Sequence, residues 1–98
     1  MRIITVKRIW EAKARWQQSA NALDTWYRLL KGSKPVDFAA LRALCPAVDK
    51  VGPLHVFDIG GNNVRLIAVV RFTTQKLYIR HVLDHRDYDR GQWREERG

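Results

Sequence analysis

The sequence predicts an α+β fold in which two to three helices pack on one face of a small, twisted antiparallel sheet. Residues 54–90 contain three apolar runs of strand length, at Leu54–Ile59, Val64–Arg71 and 76–83. These runs are rich in β-branched and aromatic residues, which strands prefer. The Gly-Gly-Asn-Asn segment at 60–63 supplies the positive φ values of a tight reversal. Upstream residues instead repeat apolar side chains at helical spacing.

Alternation along these strands predicts two different faces for a three-stranded meander. The register that keeps most apolar side chains out of water opposes the following pairs: Ile59–Val64, Asp58–Arg65, Arg71–Lys76, Val69–Tyr78 and Ile67–Arg80. One face is then apolar apart from His81 and packs on the helices. The other is a cationic face above an apolar floor, with these polar members: Arg65, Arg71, Lys76, Tyr78 and Arg80.

Residues 1–46 are expected to hold an edge strand and the helices. Residues 1–5 are β-prone, and Thr5 can cap a first helix with these apolar positions: Val6, Ile9, Trp10, Ala12 and Trp16. A second apolar stripe ends at Gly32, a residue typical of helix C-termini. Asp37 can cap a third helix, Phe38–Leu44, which Pro46 ends. The aromatic residues of these helices are interpreted as core.

The remaining segments are short. Residues 47–53 are interpreted as a loop into the sheet. Asp84 can cap a single turn that carries His85, Tyr88 and Arg90, and the polar tail 91–98 is expected to be loose apart from Trp93. The chain of 98 residues is predicted to be one domain: strand and helices at 1–46, the meander at 54–83, and the turn and tail at 84–98.

The charge balance indicates a polyanionic partner. Eighteen Lys and Arg residues against 10 Asp and Glu give a net charge of +8 and a pI near 10.3, a field that attracts nucleic acid. The single cysteine, Cys45, excludes an internal disulfide and a cysteine-based metal cluster. Neither a signal peptide nor a membrane span is evident, so a cytoplasmic location is expected.

The cationic face is suited to phosphate, because arginine makes bidentate phosphate contacts and tyrosine stacks on a splayed-out base. Simpler interpretations stay open. Arg65 can form a cross-strand ion pair with Asp58, and charged residues at a sheet edge also prevent aggregation.

Among the histidines, His85 is the candidate for proton transfer, since imidazole titrates near neutral pH. His55 and His81 are assigned to the core face by strand parity. A metal site is not favoured, because the nearby acidic residues alternate with arginines in HRDYDR.

Metal-independent cleavage of RNA matches these residues. The 2′-OH attacks the adjacent phosphate, so the protein must supply a base, an acid and positive charge on the phosphate oxygens. His85 with Tyr88 or Lys76 can serve the first two needs, and the arginines the third. A non-catalytic RNA-binding module with the same basic face is the alternative.

The stretches VFDIGGNNVRLIAVVRF and KLYIRHVLDHRDYDR resemble the HigB family of bacterial type II toxins, which have a RelE-like fold. The resemblance implies a ribosome-dependent mRNA endonuclease that cuts translated messages in the A site without a cofactor or metal. It also implies a helix-turn-helix antitoxin of the HigA type, through which the complex contacts operator DNA. The catalytic positions that it implies are Arg65, Lys76, Arg80, His85 and Tyr88. The expected RNA-binding positions are Arg71, Tyr78, Arg86 and Arg90. Two alternatives to the enzyme stay open: a non-catalytic RNA-binding or ribosome-binding module that uses the same basic face, and a toxin relic that folds and binds its antitoxin but is inactive.

Overall fold

The computed structural model of the protein describes residues 1–61 and 63–95, so Asn62 of the predicted reversal and residues 96–98 of the predicted tail lie outside it. The helices are α1 (Lys7–Arg15), α2 (Ala20–Lys31), α3 (Phe38–Leu44) and α4 (His85–Arg90). The strands are β1 (Arg2–Ile4), β2 (Asp49–Val51), β3 (Leu54–Ile59), β4 (Val64–Arg71) and β5 (Lys76–Asp84). Short 3-10 turns occupy Gln17–Ser19 and Gln92–Glu95.

The strands form one sheet in the order β1-β5-β4-β3-β2. The predicted meander β3-β4-β5 is confirmed, and so is an edge strand within residues 1–5, which pairs in parallel with β5. The interpretation of 47–53 as a loop was wrong, because Asp49–Val51 pairs with β3 as the opposite edge strand. Three residues, two of them charged, are too few to show an alternating pattern. Apart from the parallel β1–β5 pair, the strands are antiparallel.

A β-bulge in β5 alters the predicted register. The pairs Ile59–Val64, Asp58–Arg65, Arg71–Lys76 and Val69–Tyr78 are confirmed. Ile67 lies opposite His81, however, so the predicted pairing of Ile67 with Arg80 was wrong and Arg80 is the extra residue. Beyond the bulge the alternation is inverted. His81 is therefore on the outer face of the sheet rather than among the core-facing residues, and Val82 packs against the helix side.

The main core lies between the sheet and α1–α3, as predicted. Its central side chains include Leu23, Leu30, Phe57 and Leu66, all essentially inaccessible. Trp26 packs edge-to-face on Phe57, with ring centroids 5.2 Å apart. Trp26 thus belongs to the core, as predicted, whereas the assignment of Trp10 to the core was wrong, because its side chain is 65% exposed on α1.

His55 is buried on the core face, at 3% exposure, as parity predicted. Its ring lies 5.7 Å from that of Phe38 and 6.0 Å from that of Phe72. Among the described residues neither ring nitrogen has a hydrogen-bond partner. Burial, and secondarily the charge of Lys50, lowers the pKa of His55 to about 4. The core therefore holds a neutral imidazole.

The outer face carries a second, smaller apolar cluster formed by Leu54, Val56, Ile67, Val69 and Trp93. Trp93 comes from the 3-10 turn at Gln92–Glu95 and is only 2% exposed. The tail was expected to be loose apart from Trp93, but this turn packs on the sheet together with α4. The predicted apolar floor is confirmed, and the C-terminal segment covers part of it.

Side-chain caps are present at the starts of α3 and α4. Ala40 N donates to Asp37 Oδ1 at 2.8 Å at the start of α3, and Asp87 N donates to Asp84 Oδ1 at 2.9 Å at the start of α4. Both caps were predicted. Thr5 as the cap of α1 was wrong: Val6 precedes that helix without a side-chain cap, and Thr5 has a φ of 71°, where the chain turns out of β1.

Candidate active site

An open cleft of about 790 Å³ lies where the β3–β4 turn, the α1–α2 junction and the start of α4 meet. The residues that line it are Trp16, Gln18, Gly61, Asn63, Arg65, Asp84, His85 and Arg86. Two of the predicted catalytic residues, Arg65 and His85, and the predicted RNA-binding residue Arg86 therefore share one cavity. They come together because β4 starts next to the end of β5, where α4 begins.

Arg65 is held in place from two sides. Its Nη1 donates to Asp58 Oδ1 at 2.9 Å, the ion pair that the register predicted, and its side chain is 15% exposed. Its Cζ lies 5.0 Å from the centroid of the Tyr88 ring. The guanidinium is thus fixed at the cleft wall, with an anion on one side and a π-face on the other.

His85 is the first residue of α4 and its side chain is 66% exposed. The imidazole Nε2 lies 3.1 Å from Asp89 Oδ2, one helical turn further on. A carboxylate at this distance can accept a hydrogen bond from the ring, and the ring remains accessible from the cleft.

Tyr88 connects this site to the C-terminal segment. Its ring stacks on that of Trp93, with centroids 5.0 Å apart and planes inclined by 14°. Trp93 Nε1 donates to Tyr88 O at 2.9 Å. The aromatic residue that supports Arg65 is itself supported by the buried Trp93.

Arg80 and Arg90 do not line this cleft. Arg80 is the extra residue of the bulge, and its Nε is buried without a hydrogen-bond partner among the described residues. Arg90 Nη1 is 3.6 Å from Asp87 Oδ1 and lines a neighbouring cavity of about 310 Å³ together with His81 and Trp93. Tyr78 contributes its side chain to the outer apolar cluster.

Lys76 and Arg71 lie at the other end of the sheet. Lys76 opens β5 and His85 follows its last residue, so the two are separated by roughly 25 Å of extended chain. Lys76 is in register with Arg71 on one side and with Arg2 on the other. The structure thus brings Arg65, His85 and Tyr88 together and places Lys76 elsewhere.

The α1–α2 junction adds Trp16 and Gln18 to the cleft, which sequence reasoning did not anticipate. Trp16 was assigned to the core stripe, and it does pack against the main core. The close approach of the β3–β4 turn brings the junction to the site: a Cβ built on Gly60 would lie 3.5 Å from Ser19 Oγ. This is an ordinary contact distance, so the glycine pair at 60–61 signals only the turn, whose positive φ values of 66° and 61° favour glycine.

No group of three or more His, Cys, Asp or Glu side chains is arranged to hold a metal ion within residues 1–61 and 63–95. Within the same part of the chain, no helix has the length and apolar composition required to cross a bilayer.

An α+β architecture with a five-stranded mixed sheet and helices packed on one of its faces is compatible with a RelE-like fold. The chain belongs to the HigB toxin family. The model of that family, described as a RelE-like toxic component of a toxin–antitoxin system, matches residues 19–91.

Curated relatives support the assignment to this family. The chain is 36% identical over 95 residues to the mRNA interferase toxin HigB of Escherichia coli strain K12. The aligned region covers 91% of this chain and 88% of the relative. The mRNA interferase HigB of Shigella flexneri gives the same values. The mRNA interferase HigB of Escherichia coli O6:H1 is 29% identical over 93 residues, covering 92% of this chain and 90% of the relative.

Proposed function

We propose that this toxin is a ribosome-dependent mRNA endonuclease that cleaves translated messages in the A site. In this reaction, which needs no metal ion, the 2′-OH loses its proton and attacks the adjacent phosphorus. The bond from that phosphorus to the 5′-oxygen of the next nucleotide breaks, and the leaving oxygen takes up a proton. The observation that carries the proposal is the shared cleft of Arg65, His85 and Arg86. The relatives named mRNA interferase support the same class of substrate.

Arg65 is suited to stabilise the phosphate in the transition state. The charge that develops on the phosphate oxygens is stabilised best by cations that need not reorient during the reaction. Asp58 and Tyr88 already hold the guanidinium at the cleft wall. Arg86 supplies a second positive charge to the same cavity.

His85 is the residue of the cleft suited to transfer a proton, since arginine stays charged in proteins. Asp89 orients its ring from outside the cleft. In this scheme Tyr88 acts as a positioning residue for Arg65. The reaction needs both a base and an acid, and His85 supplies one of them. The other is a group of the bound message or ribosome, or a cleft residue such as Asp84.

The partners follow from membership of a toxin–antitoxin family. The proposed antitoxin is a helix-turn-helix protein of the HigA type that binds operator DNA on behalf of the complex. The net charge of +8 favours association with ribosomal and messenger RNA in the cytoplasm.

A non-catalytic RNA-binding module is the second candidate. The observation that favours it is the His85–Asp89 pair, since an exposed i,i+4 pair stabilises a short helix without any catalytic role. Arg65 paired with Asp58 is likewise compatible with a structural role.

The test maps RNA 5′ ends on translating ribosomes incubated with the protein, beside the same message free in solution. Cuts within A-site codons that are absent from free RNA are expected. His85→Ala should lower the cleavage rate about 10²–10⁴-fold, and Arg65→Ala about 10²–10³-fold. Arg28→Ala, which removes an exposed cation of α2 outside the cleft, is the matched control and should leave the rate unchanged. Intact RNA on ribosomes that still bind the protein tightly would establish the binding module instead.

A further inference from the structure

Trp16 separates two adjoining cationic clefts. One is the candidate active-site cleft, which it lines together with Arg65, His85 and Arg86. The other, of about 280 Å³, lies between α1 and the end of β5 and is lined by Arg8, Glu11, Ala12, Arg15, Trp16 and Val82. Because one indole borders both cavities, a chain molecule that leaves the first cleft in this direction passes the Trp16 ring.

The Trp16 ring already binds a cation on its face. Arg15 Cζ lies 4.8 Å from the ring centroid, and the Arg15 side chain is exposed. A π-face that accepts a guanidinium also accepts a nucleobase. An exposed arginine can exchange this contact for a phosphate contact at little cost, so Arg15 does not block the ring.

The charges along this path are those of a groove that follows a polynucleotide backbone. Arg65 and Arg86 flank Trp16 on one side, against the single carboxylate of Asp84 in that cleft. Arg8 and Arg15 flank it on the other side, against Glu11. Cations placed before and after an aromatic ring are the pattern of single-strand binding sites.

We propose that Trp16 is a base-stacking platform for the single-stranded RNA that the active-site cleft holds, and that Arg8 and Arg15 contact the phosphates beyond it. The proposal rests on the proposed function for the identity of the ligand. It extends the site from the sheet and α4 to the helical layer, around the end of α1.

The other tryptophans provide controls. Trp26 and Trp93 are buried in the two apolar clusters. Trp10 lies on α1, is 65% exposed and lines neither of the two clefts. Trp10→Leu therefore removes an exposed indole from α1, close to Trp16 in the chain, and leaves the platform intact.

The test measures binding of two single-stranded probes of equal charge, each about six nucleotides long. One is an oligodeoxynucleotide with bases, and the other has an abasic tetrahydrofuran unit at every position. Both lack the 2′-OH and cannot be cut by its attack, so binding is measured independently of catalysis. Trp16→Leu should weaken binding of the first probe by about 5- to 150-fold and leave the second unchanged. Trp16→Phe should retain most of the affinity, and Trp10→Leu all of it.

A second readout does not depend on the fold of the Leu variant. Trp fluorescence of the wild-type protein should be quenched by the probe with bases, and the quenched component should be absent in Trp16→Phe. Equal binding of both probes by the wild type, no binding of either at low salt, an equal effect of Trp10→Leu, or unchanged quenching in Trp16→Phe would each overturn the platform. Failure of the proposed endonuclease activity would instead appear as uncut message on ribosomes with these binding results intact.

Discussion

Arg65 lies over the ring of Tyr88, with its Cζ 5.0 Å from the ring centroid, while its Nη1 donates to Asp58 at 2.9 Å. Tyr88 in turn stacks on Trp93, which is buried in the outer apolar cluster. The position of a cleft arginine thus depends on a tryptophan that does not line that cleft. This dependence can be tested without touching Arg65 itself.

Trp93→Leu should destabilise the protein by about 2–4 kcal/mol, because it removes a buried aromatic ring and its stack on Tyr88. Trp93→Phe keeps a stacking ring and loses the hydrogen bond to Tyr88 O, so it should cost less. Urea denaturation gives both values. Per folded molecule, the Leu variant should also cleave more slowly than the Phe variant, since Tyr88 no longer restrains Arg65. Equal rates for the two folded variants would refute the restraint.

Arg80→Met should raise the free energy of unfolding by about 1 kcal/mol. The Arg80 Nε is buried without a partner among the described residues, and a buried unpaired donor costs free energy that a methionine of similar length avoids. The same change removes a cation from the outer face. We therefore expect weaker binding to ribosomes together with a higher denaturation midpoint. A lower midpoint would show that the buried Nε is not a net cost in the folded protein.

The fold class, the three-stranded meander and two helix caps could be predicted because each depends on local chemistry. Gly-Asn turns, apolar alternation and the acidic caps Asp37 and Asp84 act within a few residues. The bulge could not be predicted in this way. After Arg80, a strand without a bulge would place Leu83 on the core face, whereas the bulge places Val82 there. Both residues are apolar, so the sequence favours neither arrangement.

The candidate site was predictable in part for the same reason. Arg65, His85 and Tyr88 lie close to the two strand ends that the hairpin brings together. Lys76 shares the sheet but lies a full strand length from His85. Assigning residues to the two faces of a sheet does not show how far apart they lie along a strand. The contribution of Trp16 depends on how α1 and α2 pack beside the β3–β4 turn, which no local pattern specifies.

The buried His55 predicts acid sensitivity. Its pKa of about 4 in the folded protein lies below the ordinary value of 6.5, so the unfolded chain binds more protons between these values. The stability that neutral His55 contributes is present above pH 6.5 and is lost as pH falls toward 4. The loss should be about 2 kcal/mol by pH 5.

His55→Leu places an apolar, non-titrating side chain between Phe38 and Phe72. It should remove the loss of stability between pH 6.5 and pH 4. The measurement is the difference in unfolding free energy between wild type and variant at pH 7 and pH 5. If this difference is the same at pH 7 and pH 5, the pKa of His55 is not lowered in the folded protein and the prediction is wrong.

Lys76 stands in a row of three cations, because β1, β5 and β4 place Arg2, Lys76 and Arg71 in register. Like charges opposite each other on neighbouring strands are destabilising, so Lys76→Gln should raise the free energy of unfolding by about 0.2–1 kcal/mol. At roughly 25 Å along the chain from His85, Lys76 is too far to transfer a proton in the cleft. The variant should therefore raise KM on translating ribosomes and leave kcat unchanged, whereas His85→Ala lowers kcat. Single-turnover cleavage at saturating protein separates the two constants. If Lys76→Gln lowers the saturated rate as far as His85→Ala does, then Lys76 takes part in the chemistry, and the message must bind along the whole outer face of the sheet.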